Sequence, residues 1–230
     1  MLVHAIIPAR AGSKGVINKN LMPVKGIPLF QRSISHAVSL NKYHETKIWI
    51  STNIEQILSF ESEEKNLHIH RRPENLCGDK VLTVDVISDI INTYNFPSQD
   101  IILLLQPTSP FRCISEISNS IDLLKKDRQW KSFVSLSEVE GYHPFRMKRM
   151  TNNGECINFI DQGFEDMRPR QILPKVYIRS GNFYITKVNY LLENMSLVIH
   201  PCKGVVHKDS NLSINIDKYI DLEIANSCNY

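Results

Sequence analysis

Between Pro8 and Asn20 the chain reads Pro-Ala-Arg-Ala-Gly-Ser-Lys-Gly-Val-Ile-Asn-Lys-Asn, which gathers three cations (Arg10, Lys14, Lys19), two glycines (Gly12, Gly15) and Ser13. Glycines let successive backbone N–H groups close around an anion. A guanidinium takes phosphate oxygens in pairs, and lysines add point charges. The chemistry this suits is a polyphosphate cradle; on composition alone a solvated basic turn remains the alternative. Two familiar nucleotide loops are excluded by spelling. The Walker loop needs four residues before its Gly-Lys-Ser/Thr ending, whereas two separate Gly12 from Gly15 and Val16 follows. The dinucleotide pattern G-x-G-x-x-G is absent.

A cradle acts only where the fold presents it. Val3–Pro8 is an apolar run that reads as a strand feeding the loop directly. From Pro28 to about Leu40, Leu29, Phe30, Ile34, Ala37 and Val38 recur at helical spacing. Lys47–Ser51 and Leu67–His70 read as strands, with a short helix over Ile54–Phe60 between them. Thr83 is placed to cap a helix whose apolar face is Val84, Ile87, Ile90, Ile91 and Tyr94. Asp100–Leu105 has the continuous apolar character of a strand buried on both faces. Ile114–Leu124 then reads as helix and Ser132–Leu136 as strand.

This alternation predicts an α/β fold: a mostly parallel sheet with helices on both faces. Ligands of such sheets sit beyond the carboxyl ends of the strands, so the loops after Pro8, Ser51, His70 and Leu105 are the ones to watch. After residue 138 the rhythm changes. Glu138–Arg179 is rich in Gly, Pro, Arg and Gln and reads as an excursion from the sheet. Asn182–Thr186 and Leu197–His200 resume strand character, and Asp217–Asn226 reads as a last helix.

The chain has 230 residues and a net charge of +3, which fits one domain, residues 1–230, with the excursion at 138–180 as an appendage. So weak a charge argues against a nucleic-acid partner while permitting a small anionic substrate. No apolar run approaches the ~20 residues of a membrane span, and the N-terminus lacks the features of a secretory leader. Five scattered cysteines without a CxxC read as reduced thiols of a cytoplasmic protein. His68 and His70 share a strand face, but no third metal ligand is spelled beside them.

The string Ile7-Pro8-Ala9-Arg10-Ala11-Gly12-Ser13-Lys14-Gly15 with Lys19-Asn20 resembles the signature of the sugar cytidylyltransferases, above all the CMP-sialic acid synthetases. Later segments are similar too, in order: Arg72-Pro73, Asp79 with Thr83, Leu104 through Arg112 (LLQPTSPFR), Arg168 through Pro174 (RPRQILP) and Gly181 through Ile185 (GNFYI). The resemblance implies a three-layer, Rossmann-like nucleotidyltransferase fold. It implies a reaction in which CTP and a 2-keto sugar acid give the CMP-sugar and pyrophosphate, with Mg²⁺. It also implies a homodimer in which the 138–180 arm closes its partner's site.

By that resemblance Arg10, Lys19 and the Ala11, Gly12, Ser13, Lys14 and Gly15 amides hold the triphosphate, while Asn20, Arg72 and Thr83 contact ribose or cytosine. Taken by itself, Arg72 reads as a surface cation at a strand end. Gln106 and Pro107 are expected between nucleotide and sugar, although a lone Gln-Pro can simply end a strand. Arg146, Arg170, Tyr184 and Phe183 are expected on the sugar side, with Arg168 and Arg179 as further cations for the sugar carboxylate. One departure stands out. Where the family carries Asp-x-Asp on a strand to hold Mg²⁺, this chain has Asn215-Ile216-Asp217. Asp217 is therefore expected to be the main ligand and Asn215 a weaker one, because an amide oxygen brings no charge. Two alternatives stay open: a synthetase for the eight-carbon acid KDO, and a CTP-binding protein that has lost catalysis through Asn215.

Overall fold

The computed structural model describes residues 1–139 and 141–229. In chain order its strands are β1 (Val3–Ala9), β2 (Pro23–Val24), β3 (Ile27–Pro28), β4 (Thr46–Thr52), β5 (Leu67–Arg71), β6 (Ile101–Leu104), β7 (Ser132–Glu138), β8 (Lys148–Met150), β9 (Cys156–Asn158), β10 (Tyr177–Lys187) and β11 (Cys202–Val206). Its helices are α1 (Leu29–Leu40), α2 (Glu55–Leu58), α3 (Thr83–Tyr94), α4 (Ile114–Lys126), α5 (Val188–Asn194) and α6 (Tyr219–Ser227). Seven strands form the main sheet in the order β11-β7-β10-β6-β1-β4-β5. Every neighbouring pair is parallel except the two made by β10.

Period-two alternation decides which side of the sheet each residue serves. Val3, Ala5, Ile7 and Ala9 of β1 join α1 and α4 in one core layer, with Ile101 and Leu103 of β6. Ile6, Ile102 and Leu104 point the other way and pack with α3 and α5. Burying each such large apolar side chain contributes about 1.5–3 kcal/mol, so the two layers fix the register of the parallel strands. A smaller third cluster, with Val16, Leu29, Phe111, Leu212, Ile216 and Leu222, ties the loop after β1 to the C-terminal segment.

The antiparallel strand β10 carries an irregularity that matters for the site. Its register against β7 shifts between Arg179 and Tyr184, with Gly181 at φ 76° inside the bulge. Asn182, 1% exposed, donates through Nδ2 to the carbonyls of Phe111 (2.7 Å) and Leu212 (2.9 Å). One side chain thereby holds the loop after β6 and the chain leading to Asp217 against the bulge.

Four sequence expectations need correction. Leu197–His200 is not a strand: Ile199 exchanges both its backbone groups with the Ser132 hydroxyl, and the edge strand is Cys202–Val206. Thr83 is the first residue of α3 and not its cap. Asp85 does that work, accepting the Leu82 amide at 3.2 Å. Asn215-Ile216-Asp217 lies on no strand; it follows a 3₁₀ turn at Ser210–Ser213 and is tied by the Ile216 amide to the Thr108 carbonyl at 2.8 Å. The last helix begins at Tyr219, two residues later than the periodicity suggested. The excursion is an extension of the β7–β10 pair, which is joined at Tyr177 and Glu138, and it includes the small hairpin β8–β9.

Replacing Asn182 by Ala strips two buried carbonyls of their donor. At about 1–3 kcal/mol for each of the two lost bonds, urea denaturation should show a loss of about 2–6 kcal/mol at unchanged m-value. A loss well under 1 kcal/mol would mean that the bulge does not depend on this residue.

Candidate active site

Beyond the carboxyl ends of β1, β4 and β6 the expected loops converge. Pro8, Arg10, Ser13, Lys19, Asn20 and Gln106 line a cavity of about 200 Å³. Local geometry explains the loop's residue types. Gly12 sits at φ 78°, in the left-handed region that favours glycine. A Cβ on Gly15 would overlap the Asp217 carbonyl oxygen, so only glycine lets the loop and the C-terminal segment touch. Ser13 staples the loop internally, donating to the Val16 carbonyl at 2.7 Å and accepting the Lys19 amide at 3.1 Å. Asn20, buried, donates to the Arg10 carbonyl at 2.9 Å.

The cations have acidic partners. Asp79 bridges Arg10 Nη2 (2.7 Å) and Lys14 Nζ (2.6 Å), and those hydrogen bonds, Lys14 first, hold its carboxyl below the usual range. Lys19 Nζ donates to the Ile216 carbonyl (2.7 Å) and to Asp217 Oδ1 (2.9 Å). The amide row is shorter than expected: the Ala11 N–H is taken by Asn53 Oδ1 at 2.8 Å, which leaves Gly12 through Gly15 as the run that could meet phosphate.

A second cavity, about 150 Å³, opens from Arg10 toward Arg72, Gly78 and Thr83, again with Gln106 in its wall. Arg72 is buried and clamped on β4, with Nε 3.1 Å from Ser51 Oγ and Nη2 donating to the Ser51 carbonyl at 2.9 Å. Burial, with the Arg10 charge as a smaller effect, pulls its pKa down to about 10, so the guanidinium is still charged at neutral pH.

On the far side of Gln106 lie two wider spaces. One, about 470 Å³, has Arg179, Ser180, Gly181, Tyr184, Asn215 and Asp217 in its wall. The other, about 360 Å³, shares Arg179 and Tyr184 and adds the apolar Leu104, Met195 and Leu197. Tyr184 is half-buried, and that burial raises its phenol pKa. Phe183, one position earlier, points into the core and is fully buried, so it lines none of these spaces.

Gln106 borders all four cavities. Arg112, which the sequence reading passed over, explains its placement. Buried beneath the loop, Arg112 donates from Nη2 to the Gln106 carbonyl (2.5 Å) and from Nε to the Asn182 carbonyl (2.9 Å). His36 Nδ1, 3.2 Å from Arg112 Nη1, must accept; burial first and then the Arg112 charge push its pKa down to about 3. Gly181 makes room in front, since a Cβ there would stand 3.1 Å from Gln106 Oε1. The only sequence signal for Arg112 and Asn182 was their place inside resemblance strings; their partners lie too far along the chain for spacing to reveal.

Arg146 and Arg170 lie on the arm, exposed, and border none of these cavities. Arg146 Nη2 donates to the Arg168 carbonyl, and Arg168 makes a two-pronged bond to buried Asp166. Thus Arg168 serves the arm's own fold.

Among the described residues no group of three His, Cys, Asp or Glu is placed to hold a metal. Asp217 nevertheless fits a divalent ion shared with a phosphate chain, because Mg²⁺ is commonly held by one or two carboxylates plus substrate oxygens. Its carboxylate is 64% exposed and Asn215 Nδ2 donates to its Oδ2 at 2.5 Å, so the two side chains meet without a strand to align them.

The chain matches the cytidylyltransferase family over residues 4–153. It is 31% identical over 226 residues to CMP-N,N'-diacetyllegionaminic acid synthase of Legionella pneumophila, covering 96% of this chain and 93% of that protein. It is 31% identical over 191 residues to the N-acylneuraminate cytidylyltransferase of Streptococcus agalactiae, covering 82% of this chain but 44% of that one. The chain spans about half the length of the N-acylneuraminate cytidylyltransferases it matches. Among solved structures, CMP:2-keto-3-deoxy-manno-octonic acid synthetase complexed with CTP superposes with a TM-score of 0.62 at 13% identity, covering 99% of this chain and 98% of that one, a likeness of fold. With its fold, its loop and its sequence in agreement, the chain belongs to the cytidylyltransferase family.

Proposed function

We propose that this enzyme transfers CMP from CTP to the anomeric hydroxyl of a nine-carbon nonulosonic acid of the sialic or legionaminic type, releasing pyrophosphate. The observation that carries the reading is Gln106 standing as a common wall between a cation-lined side and an arginine- and tyrosine-lined side. The likeness to the legionaminic acid synthase over nearly the whole of both chains supports the sugar class.

In this reading the triphosphate lies along Gly12–Gly15, is neutralised by Arg10, Lys14 and Lys19, and competes with Asp79 for the first two of those cations. Arg72, Thr83 and Asn20 hold the nucleoside. Arg179 takes the sugar carboxylate, and Gln106 fixes the sugar against the α-phosphate. The apolar wall of Leu104, Met195 and Leu197 suits an acid with acylamino or deoxy groups better than one carrying only hydroxyls. The sugar hydroxyl oxygen bonds to the α-phosphorus and gives up its proton to solvent, while the bond from that phosphorus to the bridging oxygen breaks and its electron pair leaves with pyrophosphate. Phosphoryl transfer leaves the protein mainly positioning and charge stabilisation to supply. Asp217, with Asn215 as a weaker ligand, would hold Mg²⁺, which would supply positive charge for the departing pyrophosphate. The proposed compartment is the cytoplasm, on the support of five cysteines that stand as free thiols.

Dimerisation through the 138–180 arm belongs to the same proposal. Tyr142, Met150, Phe159, Met167 and Ile172 all leave large apolar surfaces exposed there, and apolar surface gathered on an arm favours a protein partner. A second protomer would bring Arg146 and Arg170 to a site they do not reach in their own.

Incubated with CTP and Mg²⁺, the enzyme should release pyrophosphate with at least one acylamino nine-carbon acid and faster than with the eight-carbon KDO. No release with any nonulosonic acid would sink the assignment, and preference for KDO would transfer it to that substrate. Asp217→Ala should raise the Mg²⁺ concentration needed for half-maximal rate by about 10-fold or more; an unchanged metal dependence would place the ion elsewhere. Mixing Arg170→Ala protomers with Asp217→Ala protomers should restore part of the activity that each lacks alone. Failure to complement, with a monomer by sedimentation, would remove the arm's role across the interface.

A further inference from the structure

Behind the nucleotide cavity lies a chain of four polar groups from three segments: α3, β4, and β5 with the residue that follows it. Asp89 on α3 has its Oδ2 3.0 Å from His70 Nε2 on β5. His70 Nδ1 is 3.1 Å from Ser51 Oγ on β4, and Arg72 Nε donates to that same Oγ at 3.1 Å. Proton bookkeeping fixes the directions. A guanidinium can only donate, so Ser51 Oγ accepts from Arg72. The Asp89 carboxylate, 3.0 Å from Nε2, favours the tautomer that carries its proton on that nitrogen, which leaves Nδ1 to accept from the Ser51 hydroxyl. The two hydrogen bonds at Ser51 then run the same way, from Arg72 toward His70, and bonds so aligned strengthen one another.

Order and spacing mimic a serine–histidine–aspartate triad, yet a nucleophilic role fails on burial. Ser51 is 0% exposed and its oxygen is already engaged by Arg72. What the row can do is hold Arg72. Two of the three guanidinium nitrogens are committed to Ser51, through Oγ and the carbonyl, while Arg72 borders the cavity it shares with Arg10, Thr83 and Gln106. Burying a guanidinium is costly without compensation, and here the negative charge of Asp89 reaches it through two neutral intermediates.

We propose that His70 and Asp89 are positioning residues for nucleotide binding, which fix the Arg72 guanidinium in one orientation through Ser51. The proposal rests on the assignment of Arg72 to the nucleoside. Burial, opposed by Asp89, keeps the His70 pKa below its ordinary value, consistent with the neutral imidazole that the row requires.

Two ligands separate this role from general stability. CTP engages both the cation loop and Arg72, whereas inorganic tripolyphosphate engages the loop alone. By calorimetry, His70→Leu should weaken CTP binding about 10-fold, the scale of a lost hydrogen bond to a charged group, and leave tripolyphosphate affinity within two-fold. Asp89→Asn, which keeps an acceptor but removes the charge, should weaken CTP by about 3-fold. Asp89 is about one-third exposed, so this variant carries the test even if His70→Leu does not fold. Unchanged CTP affinity in both variants, or equal losses for both ligands, overturns the proposal. Arg72→Met distinguishes the two levels. If it leaves CTP binding intact, the assignment of Arg72 falls and takes this inference with it. If it weakens CTP while the His70 and Asp89 variants do not, the positioning role alone is wrong.

Discussion

The site depends on one contact between distant ends of the chain, the meeting of the loop after β1 with the segment around Asp217. Lys19 reaches the Ile216 carbonyl and the Asp217 carboxylate across nearly two hundred positions, and Gly15 lies against the Asp217 backbone. The ion pair is not what holds them. Asp217 is largely exposed, and pairs of that kind contribute about 0–1 kcal/mol. Val16 and Ile216 are both fully buried in the same small cluster, where each contributes about 1.5–3 kcal/mol. Packing therefore brings the ends together, and Lys19 orients what packing has placed. This also accounts for Gly15, because the close approach leaves no space for a side chain.

Sheet and site were legible from the sequence to different degrees. β1, β4, β6 and β7 declare themselves through apolar runs, and α1, α3 and α4 through helical spacing, since each buries a whole face, while β5, a half-buried edge strand, shows only its alternating Leu67 and Ile69. β11 does not: it is half-buried, and Lys203 and Gly204 interrupt its pattern. Leu197 and Val198 looked like a strand because they are apolar, but they line a cavity. Spacing identified the basic loop because its residues are consecutive. It could not show that Asn53 takes the Ala11 amide, that Asp79 ties Arg10 to Lys14, or that Arg112 carries Gln106, since those pairs close only in three dimensions. Tyr184 and Phe183 make the same point on one strand: alternation says that they part, and only the sheet's surroundings say which one meets the cavity.

Front and rear of the site follow opposite electrostatic rules. In front, Arg10 and Lys14 share Asp79 at the protein surface. Such pairs are worth little and exchange readily, so a triphosphate can take over these cations at small cost. In the rear, Arg72 is buried and held by the Ser51 hydroxyl and carbonyl, and Arg112, also buried, donates to the Gln106 and Asn182 carbonyls and meets Ser33 and His36. Removing such partners strands a charge in a poorly solvated place, which costs several kcal/mol. The front can therefore change partners with each turnover while the walls set by Arg72 and by Gln106 above Arg112 keep their geometry. That division suits the proposed reaction, whose barrier is lowered mainly by positioning, because in that reading charge arrives and leaves with the nucleotide and the frame that aligns sugar and phosphorus does not need to be rebuilt.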